Sequence, residues 1–260
     1  MKKIITPFWL KTVTGLALVL ALTGCQDKPT VTDPDAAMRA AGYARAPVIT
    51  GIEQAGSDMV VVTGDTIPNA RVRFAYGDQR AIGVTADSKG RFRAELPIGT
   101  QGGIYDLSAG DLGRLMHADG RLFIPPGMPQ KAILMRPGAP SFPVVPHASQ
   151  LLVADYDSAG AFALAGRVTP KTAVNLVVDG VRVRQMSDDT GYFSAIMQIP
   201  SPTQGAVVAD VSVQVGDTSW TRTISVTSAT GEGDRITAIP KGWRVDWMLP
   251  GGGIQTTLVF

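Results

Sequence analysis

Short apolar runs, separated by glycine, proline or aspartate, recur along most of this chain. Met59 to Thr63, Arg71 to Ala75 and Arg91 to Leu96 stand in the first half; Phe162 to Ala165, Ala173 to Val178 and Tyr192 to Ile199 stand in the second. Runs this short, rich in Val, Ala, Leu and Phe and punctuated by turn residues, predict β-strands. The clearest alternation lies at the end. Trp243, Val245, Trp247 and Leu249 alternate with Arg244, Asp246 and Met248. Pro250-Gly251-Gly252-Gly253 forces a turn, and Ile254, Thr256, Leu258 and Phe260 then alternate with Gln255, Thr257 and Val259. Period-two alternation predicts a hairpin with the first set of each arm on one face, provided the pairing register allows it.

Two stretches about 100 residues apart share spaced landmarks. The first has Gly64, Pro68, Ala70 and Val72, then Asp87, Gly90 and Phe92; the second has Gly166, Pro170, Thr172 and Val174, then Asp188, Gly191 and Phe193. In the Asp-x-x-Gly-x-Phe cluster the aspartate opens a hairpin turn through its side chain. Glycine takes a positive φ, and the aromatic starts the next strand facing inward. Several short strands per repeat and few helical patterns predict an all-β chain: two antiparallel β-sandwiches in tandem plus the C-terminal β-hairpin. The clusters resemble bacterial Ig-like domains, in which Gly-x-x-x-Pro-x-Ala-x-Val is followed by Asp-x-x-Gly-x-Phe. The resemblance covers roughly residues 47–126 and 150–228, with Thr172 in place of the usual small apolar residue. It implies an Ig-like sandwich and leaves both strand topology and function open.

The N-terminus changes the picture. Lys2, Lys3 and Lys11 form a positive region, Thr12 to Leu22 an apolar run too short to span a bilayer, and Leu22-Thr23-Gly24-Cys25 closes it. This arrangement resembles the lipobox of bacterial lipoproteins, which implies acylation at Cys25 and a membrane anchored through it. Gln26 follows in place of the aspartate linked to inner-membrane retention, so the resemblance implies the outer membrane, periplasmic side. The chain carries 24 Lys and Arg against 22 Asp and Glu. Three of the basic residues lie in the signal and no acidic one does, which leaves 21 against 22, a net charge of −1. The basicity therefore gives no reason to expect nucleic acid as a partner. Cys25 is the single cysteine. Once acylated, it leaves no disulfide, thiol nucleophile or Cys-ligated zinc, and the folded part must hold by its own core.

The expected organisation is a signal at 1–24, a tether with a short helix (Ala36 to Ala41) at 25–46, sandwich one at 47–136, a Pro-rich linker at 137–149, sandwich two at 150–228 and a Trp-bearing hairpin at 229–260. Seven of 18 prolines fall within 125–146, so that stretch should be stiff, holding the sandwiches apart or at a fixed angle. Lys131 to Arg136 could be a strand closing the first domain. Catalytic signals are sparse. His117 and His147 have no metal-ligand spacing, and no serine sits in Gly-x-Ser-x-Gly. Asp155 with Asp157, or Asp188 with Asp189, could join backbone carbonyls to bind calcium, but the EF-hand spacing is absent and the favoured reading is that of turn residues. No cofactor is expected.

Three of four tryptophans, Trp220, Trp243 and Trp247, lie in the last 41 residues. With Phe260 they mark the candidate binding face. The hairpin could complete the second sandwich with both tryptophans in its core, dock on an envelope protein, or stack on the sugar rings of envelope polysaccharide. The expected function is that of a non-catalytic, outer-membrane-anchored lipoprotein acting as envelope scaffold, spacer or protein-binding module. Polysaccharide or peptidoglycan binding through the Trp-rich region is the alternative, and an envelope hydrolase a distant third.

Overall fold

The computed structural model describes residues 45–77, 80–111, 113–145, 152–201 and 205–260. Cys25 and its signal, the helix expected at Ala36 to Ala41, and His147 lie outside the described residues. Sandwich one consists of β1 (Val48–Gln54), β2 (Met59–Asp65), β3 (Arg71–Tyr76), β4 (Arg80–Thr85), β5 (Arg91–Pro97), β6 (Gly103–Asp111) and β7 (Arg114–Ile124). β8 (Ile133–Met135) and β9 (Phe142–Pro143) follow. Sandwich two repeats the plan with β10 (Leu152–Tyr156), β11 (Ala161–Arg167), β12 (Ala173–Val178), β13 (Val181–Met186), β14 (Tyr192–Gln198), β15 (Val207–Val215) and β16 (Thr218–Val226). A meander of β17 (Arg235–Ile239), β18 (Gly242–Met248) and β19 (Ile254–Val259) ends the chain.

The strand orders are β1-β2-β5 against β4-β3-β6-β7 in the first sandwich, and β14-β11-β10 against β13-β12-β15-β16 in the second. Both are Ig-like sandwiches whose fourth strand pairs with the third, which settles the topology the sequence left open. Each encloses its own core. Phe74, Phe92, Leu96, Leu107 and Leu122 are buried in one, and Phe162, Leu164, Leu176, Phe193 and Val211 in the other. Each sandwich then gains strands on a different edge. β8 and β9 extend the β7 edge of the first, and β19-β18-β17 extend the β10 edge of the second.

The shared landmarks hold the two halves of each sandwich together. Asp87 Oδ1 accepts from the backbone N–H of Lys89 (2.8 Å) and Arg91 (2.9 Å); Asp188 Oδ1 accepts from Thr190 (2.7 Å) and Tyr192 (2.9 Å). Gly90 and Gly191 have φ of 83° and 81°. A Cβ on either would lie 2.1 Å from the Thr66 carbonyl oxygen or 2.0 Å from that of Val168. These turns close no hairpin, contrary to the sequence expectation. β4 and β5 belong to different sheets, as do β13 and β14, so each turn carries the chain across the sandwich. The departure at Thr172 is matched elsewhere. In the first repeat Ala70 and Ala86 meet as two buried methyls, the Ala86 N–H donating to the Ala70 carbonyl at 2.9 Å. In the second, Thr172 faces Ser187, whose Oγ accepts the Thr172 N–H at 2.9 Å and donates to the Thr169 carbonyl at 2.8 Å.

Of the two roles expected for the Pro-rich stretch, residues 137–145 do not act as a free spacer. They lie along the outer face of the β14-β11-β10 sheet, as the contacts below show.

Candidate functional site

The predicted hairpin exists, but its register divides the predicted face in two. Trp243 pairs with Val259, Val245 with Thr257 and Trp247 with Gln255. Directly opposed residues share a side, so the tryptophans lie with Gln255, Thr257 and Val259, and Leu258 and Phe260 point the other way. Leu258 and Phe260 enter the core of sandwich two. Trp247, fully buried, packs with Val245, Val259 and Val153 against Ile104, Phe123, Ile133 and Met135 of sandwich one. Trp243 is half-buried at the margin of that cluster, with the Lys131 ammonium 5.9 Å from its ring centre. Trp220 is half-buried on β16, packed against the second core. The four residues of the candidate face therefore form no common surface, and the hairpin's tryptophans serve a junction between the sandwiches.

A polar network lies beside this apolar cluster. Asp155 is buried on β10, and its carboxylate accepts from Ser141 N–H (2.6 Å), Ser141 Oγ (2.7 Å) and Thr257 Oγ1 (2.6 Å). Thr257 Oγ1 in turn accepts the Trp247 indole N–H at 3.1 Å. Gln255 Oε1 accepts from the Gly138 N–H (3.2 Å), and its amide donates to the Arg136 carbonyl (3.3 Å). Burial pushes the Asp155 carboxyl above its ordinary value, against the lowering effect of these hydrogen bonds. With both oxygens committed to internal donors, Asp155 reads as a structural clasp rather than an acid poised for chemistry. The pocket beside it, between Pro140, Ala163 and Ile196, has a volume of about 60 Å³, well below the roughly 300–1,000 Å³ of small-molecule sites.

Further ties fix the junction's rim. Arg121 binds Asp106 of its own sheet at 2.7 Å and reaches Asp234, before β17, at 2.7 Å. Arg136 donates to the Pro140 carbonyl (2.8 Å) and to the Tyr192 hydroxyl (3.2 Å). Phe142 packs on Tyr192 with ring centres 4.9 Å apart, and the buried Arg167 stacks over Phe142 while donating to the Pro143 carbonyl. Beneath the meander, Asp246 is held by Arg244 at 2.9 Å, Arg235 at 2.9 Å and Thr256 Oγ1 at 2.6 Å.

The aspartates considered for calcium have other occupations. Asp157 caps the β10–β11 turn, Asp188 caps the turn before β14, and Asp189 pairs with Lys171 at 3.1 Å. Among the described residues, no three His, Cys, Asp or Glu side chains converge as a metal site. His117 is exposed on β7. Sequence reasoning missed β17, the Asp155 clasp and the Arg244–Asp246 pair. The available signal was polar residues on both arms of an otherwise apolar hairpin, which need buried partners if both faces are covered.

No protein-family model matches the chain, and no curated protein matches it significantly. Among solved structures, the chain aligns with the central fibronectin-III array of RIM-binding protein at 12% identity and a TM-score of 0.29, over 78% of this chain and 71% of that one. The fold above rests on strand pairing alone.

Proposed function

We propose that this chain is a lipid-anchored, non-catalytic scaffold of the bacterial cell envelope, tethered through Cys25 to the outer membrane and facing the periplasm. In this reading it binds an envelope protein. One observation supports it above the others: the aromatic residues and buried polar groups of the C-terminal half are used to lock one sandwich against the other. An unlocked pair joined by a flexible linker would transmit little geometry from an anchor to a partner, whereas a locked pair presents its sheet edges at fixed positions. Polysaccharide stacking loses its main support, because Trp247 has no ring face left to offer a sugar. No helix among the described residues is long and apolar enough to cross a membrane; the proposed membrane attachment is the acyl chain on Cys25.

The test has two readouts. An alkyne fatty acid fed to cells should label the wild-type chain and leave Cys25→Ser unlabelled. Spin labels placed on exposed positions of β3 and β12 should give one narrow distance distribution. Equal labelling of both forms removes the anchor, and a broad distance distribution removes the fixed scaffold.

A further inference from the structure

The two sandwiches differ in what covers their last strand. In the first, β8 adds to β7, with Arg121 opposite Met135, Leu122 opposite Leu134 and Phe123 opposite Ile133. β16 holds the same place in the second and is the outermost strand of its sheet. Its pairing with β15 is unbroken, from Val207 opposite Val226 to Val215 opposite Thr218. The solvent-facing row is Ser219, Thr221, Thr223 and Ser225, all exposed. A long edge without proline or bulge is one that natural sheets cover, use or guard with charge, and the charge this edge carries is Arg222 on its inward-facing row.

The inward-facing row carries one buried donor without an acceptor and one cation without an ion pair among the described residues. The Trp220 indole nitrogen is buried with no hydrogen-bond partner. Two residues on, the Arg222 guanidinium lies over the Phe260 ring at 4.4 Å, with no ion pair to any described carboxylate. Partial burial lowers the pKa of Arg222, and the Phe260 ring and solvent are what face its charge. Following the ladders outward from Val72 and Val174 places Arg222, opposite Val211, where sandwich one has Leu122, opposite Tyr105. The buried leucine beneath β8 thus has a cation as its counterpart at the open edge.

We propose that an extended segment of a partner protein, with a carboxylate facing Arg222, adds to β16 as β8 adds to β7. Backbone hydrogen bonds supply the strand pairing, and the acidic side chain supplies Arg222 with an ion pair, which it does not have among the described residues. A second copy of this chain is the wrong occupant. Residue 222 is the midpoint of Thr218–Val226, so antiparallel pairing of two β16 strands in full register sets Arg222 against Arg222, and opposed like charges destabilise a ladder. This deepens the scaffold reading by naming its contact surface. Its failure would leave the anchor and the fixed junction standing, since those are read by fatty-acid label and inter-sandwich distance.

The test uses the full chain in detergent and two nine-residue peptides of alternating Thr and Val, one with Glu at its centre and one with Lys. Hydrogen exchange should slow across 218–226 with the Glu peptide, and the Lys peptide should bind at least about tenfold more weakly. Arg222→Glu should exchange the two preferences and Arg222→Lys should keep the original one; unchanged exchange in β2 and β11 confirms folding. Arg222→Gln, which should bind both peptides alike, replaces the charge swap if that variant unfolds. The proposal is overturned if neither peptide protects β16, or if both bind wild type equally, leaving Arg222 as a mere guard against strand pairing. Dimerisation with β16 protected in the absence of peptide would also overturn it, in favour of a second copy.

Discussion

Trp247→Ala removes the largest fully buried side chain of the junction. Truncating a buried tryptophan costs about 3–5 kcal/mol in lost transfer energy and residual cavity. The indole also donates to Thr257 Oγ1, which donates onward to Asp155. Removing that first donor leaves an acceptor site bare in a dry setting, for about 1 kcal/mol more. The sum is roughly 4–6 kcal/mol. Its location matters as much as its size. Trp247 contacts sandwich one and lies on the outer side of its own sheet, away from the core around Phe162 and Leu176. The loss should therefore fall on coupling between the sandwiches. Urea unfolding followed by circular dichroism should show one transition for wild type and two for Trp247→Ala. At an m-value of about 2 kcal/mol/M, the earlier midpoint should move down by roughly 2–3 M. Trp247→Phe, which keeps most of the volume and loses only the donor, should retain a single transition with a loss of about 1–2 kcal/mol. A single transition in the alanine variant, shifted by less than about 1 kcal/mol, would refute the assignment of this tryptophan to a coupling role.

Asp155→Asn should change the pH dependence of stability. The folded carboxyl has a raised pKa, so its stabilising contribution is complete below its unfolded value and is lost as pH rises through the folded one. The variant should gain on wild type in denaturation midpoints as pH rises from below the ordinary aspartate value towards neutrality, and parallel curves would refute the reasoning. Gly191→Ala meets both a φ of 81° and a backbone oxygen 2.0 Å from the new Cβ, whereas Gly252→Ala meets a φ of 101° and open space. Thermal melts should show a loss of at least about 2 kcal/mol for the first and about 1 kcal/mol for the second; equal losses would remove the role given to close approach. Asp246→Ala removes the carboxylate from Arg244, whose side chain is 13% exposed and keeps only its bonds to Thr227, and should cost about 3 kcal/mol in the same assay. A neutral result would mean that Arg244 finds water.

Local chemistry made the turns legible, but not what they connect. Asp157, Gly160 and Phe162 form a third Asp-x-x-Gly-x-Phe cluster. Asp157 Oδ1 accepts from Ala159 and Ala161, Gly160 has a φ of 87°, and Phe162 is buried, as in the other two. Yet this turn joins β10 to β11 as a true hairpin, and the other two cross between sheets. The side chain of the aspartate and the conformation of the glycine specify a reversal over a few residues. Whether the outgoing strand pairs with the incoming one depends on which core receives the aromatic, and that is a tertiary matter.

The junction left a different trace. Leu122-Phe123-Ile124 and Ala161 to Ala165 are apolar without alternation, and strands that read this way are covered on both faces. Both runs lie under the junction: Phe123 faces it while Leu122 and Ile124 fill the first core, and Ala163 faces it while Phe162 and Leu164 fill the second. The pattern therefore announced that each sandwich had a second apolar partner, though not that the partner was the other sandwich. What hid the answer was register. With period-two alternation in both arms, the β18–β19 hairpin has two self-consistent pairings, one gathering Trp243, Trp247 and Phe260 on a single face and one dividing them. The first leaves Gln255 and Thr257 together on the opposite side. The second sets them beside the tryptophans, where Thr257 accepts from the indole of Trp247 and, with Gln255, bonds Asp155. A buried carboxylate one strand away demands those donors, so Asp155 and the two tryptophans select the same register from opposite sides of the bond.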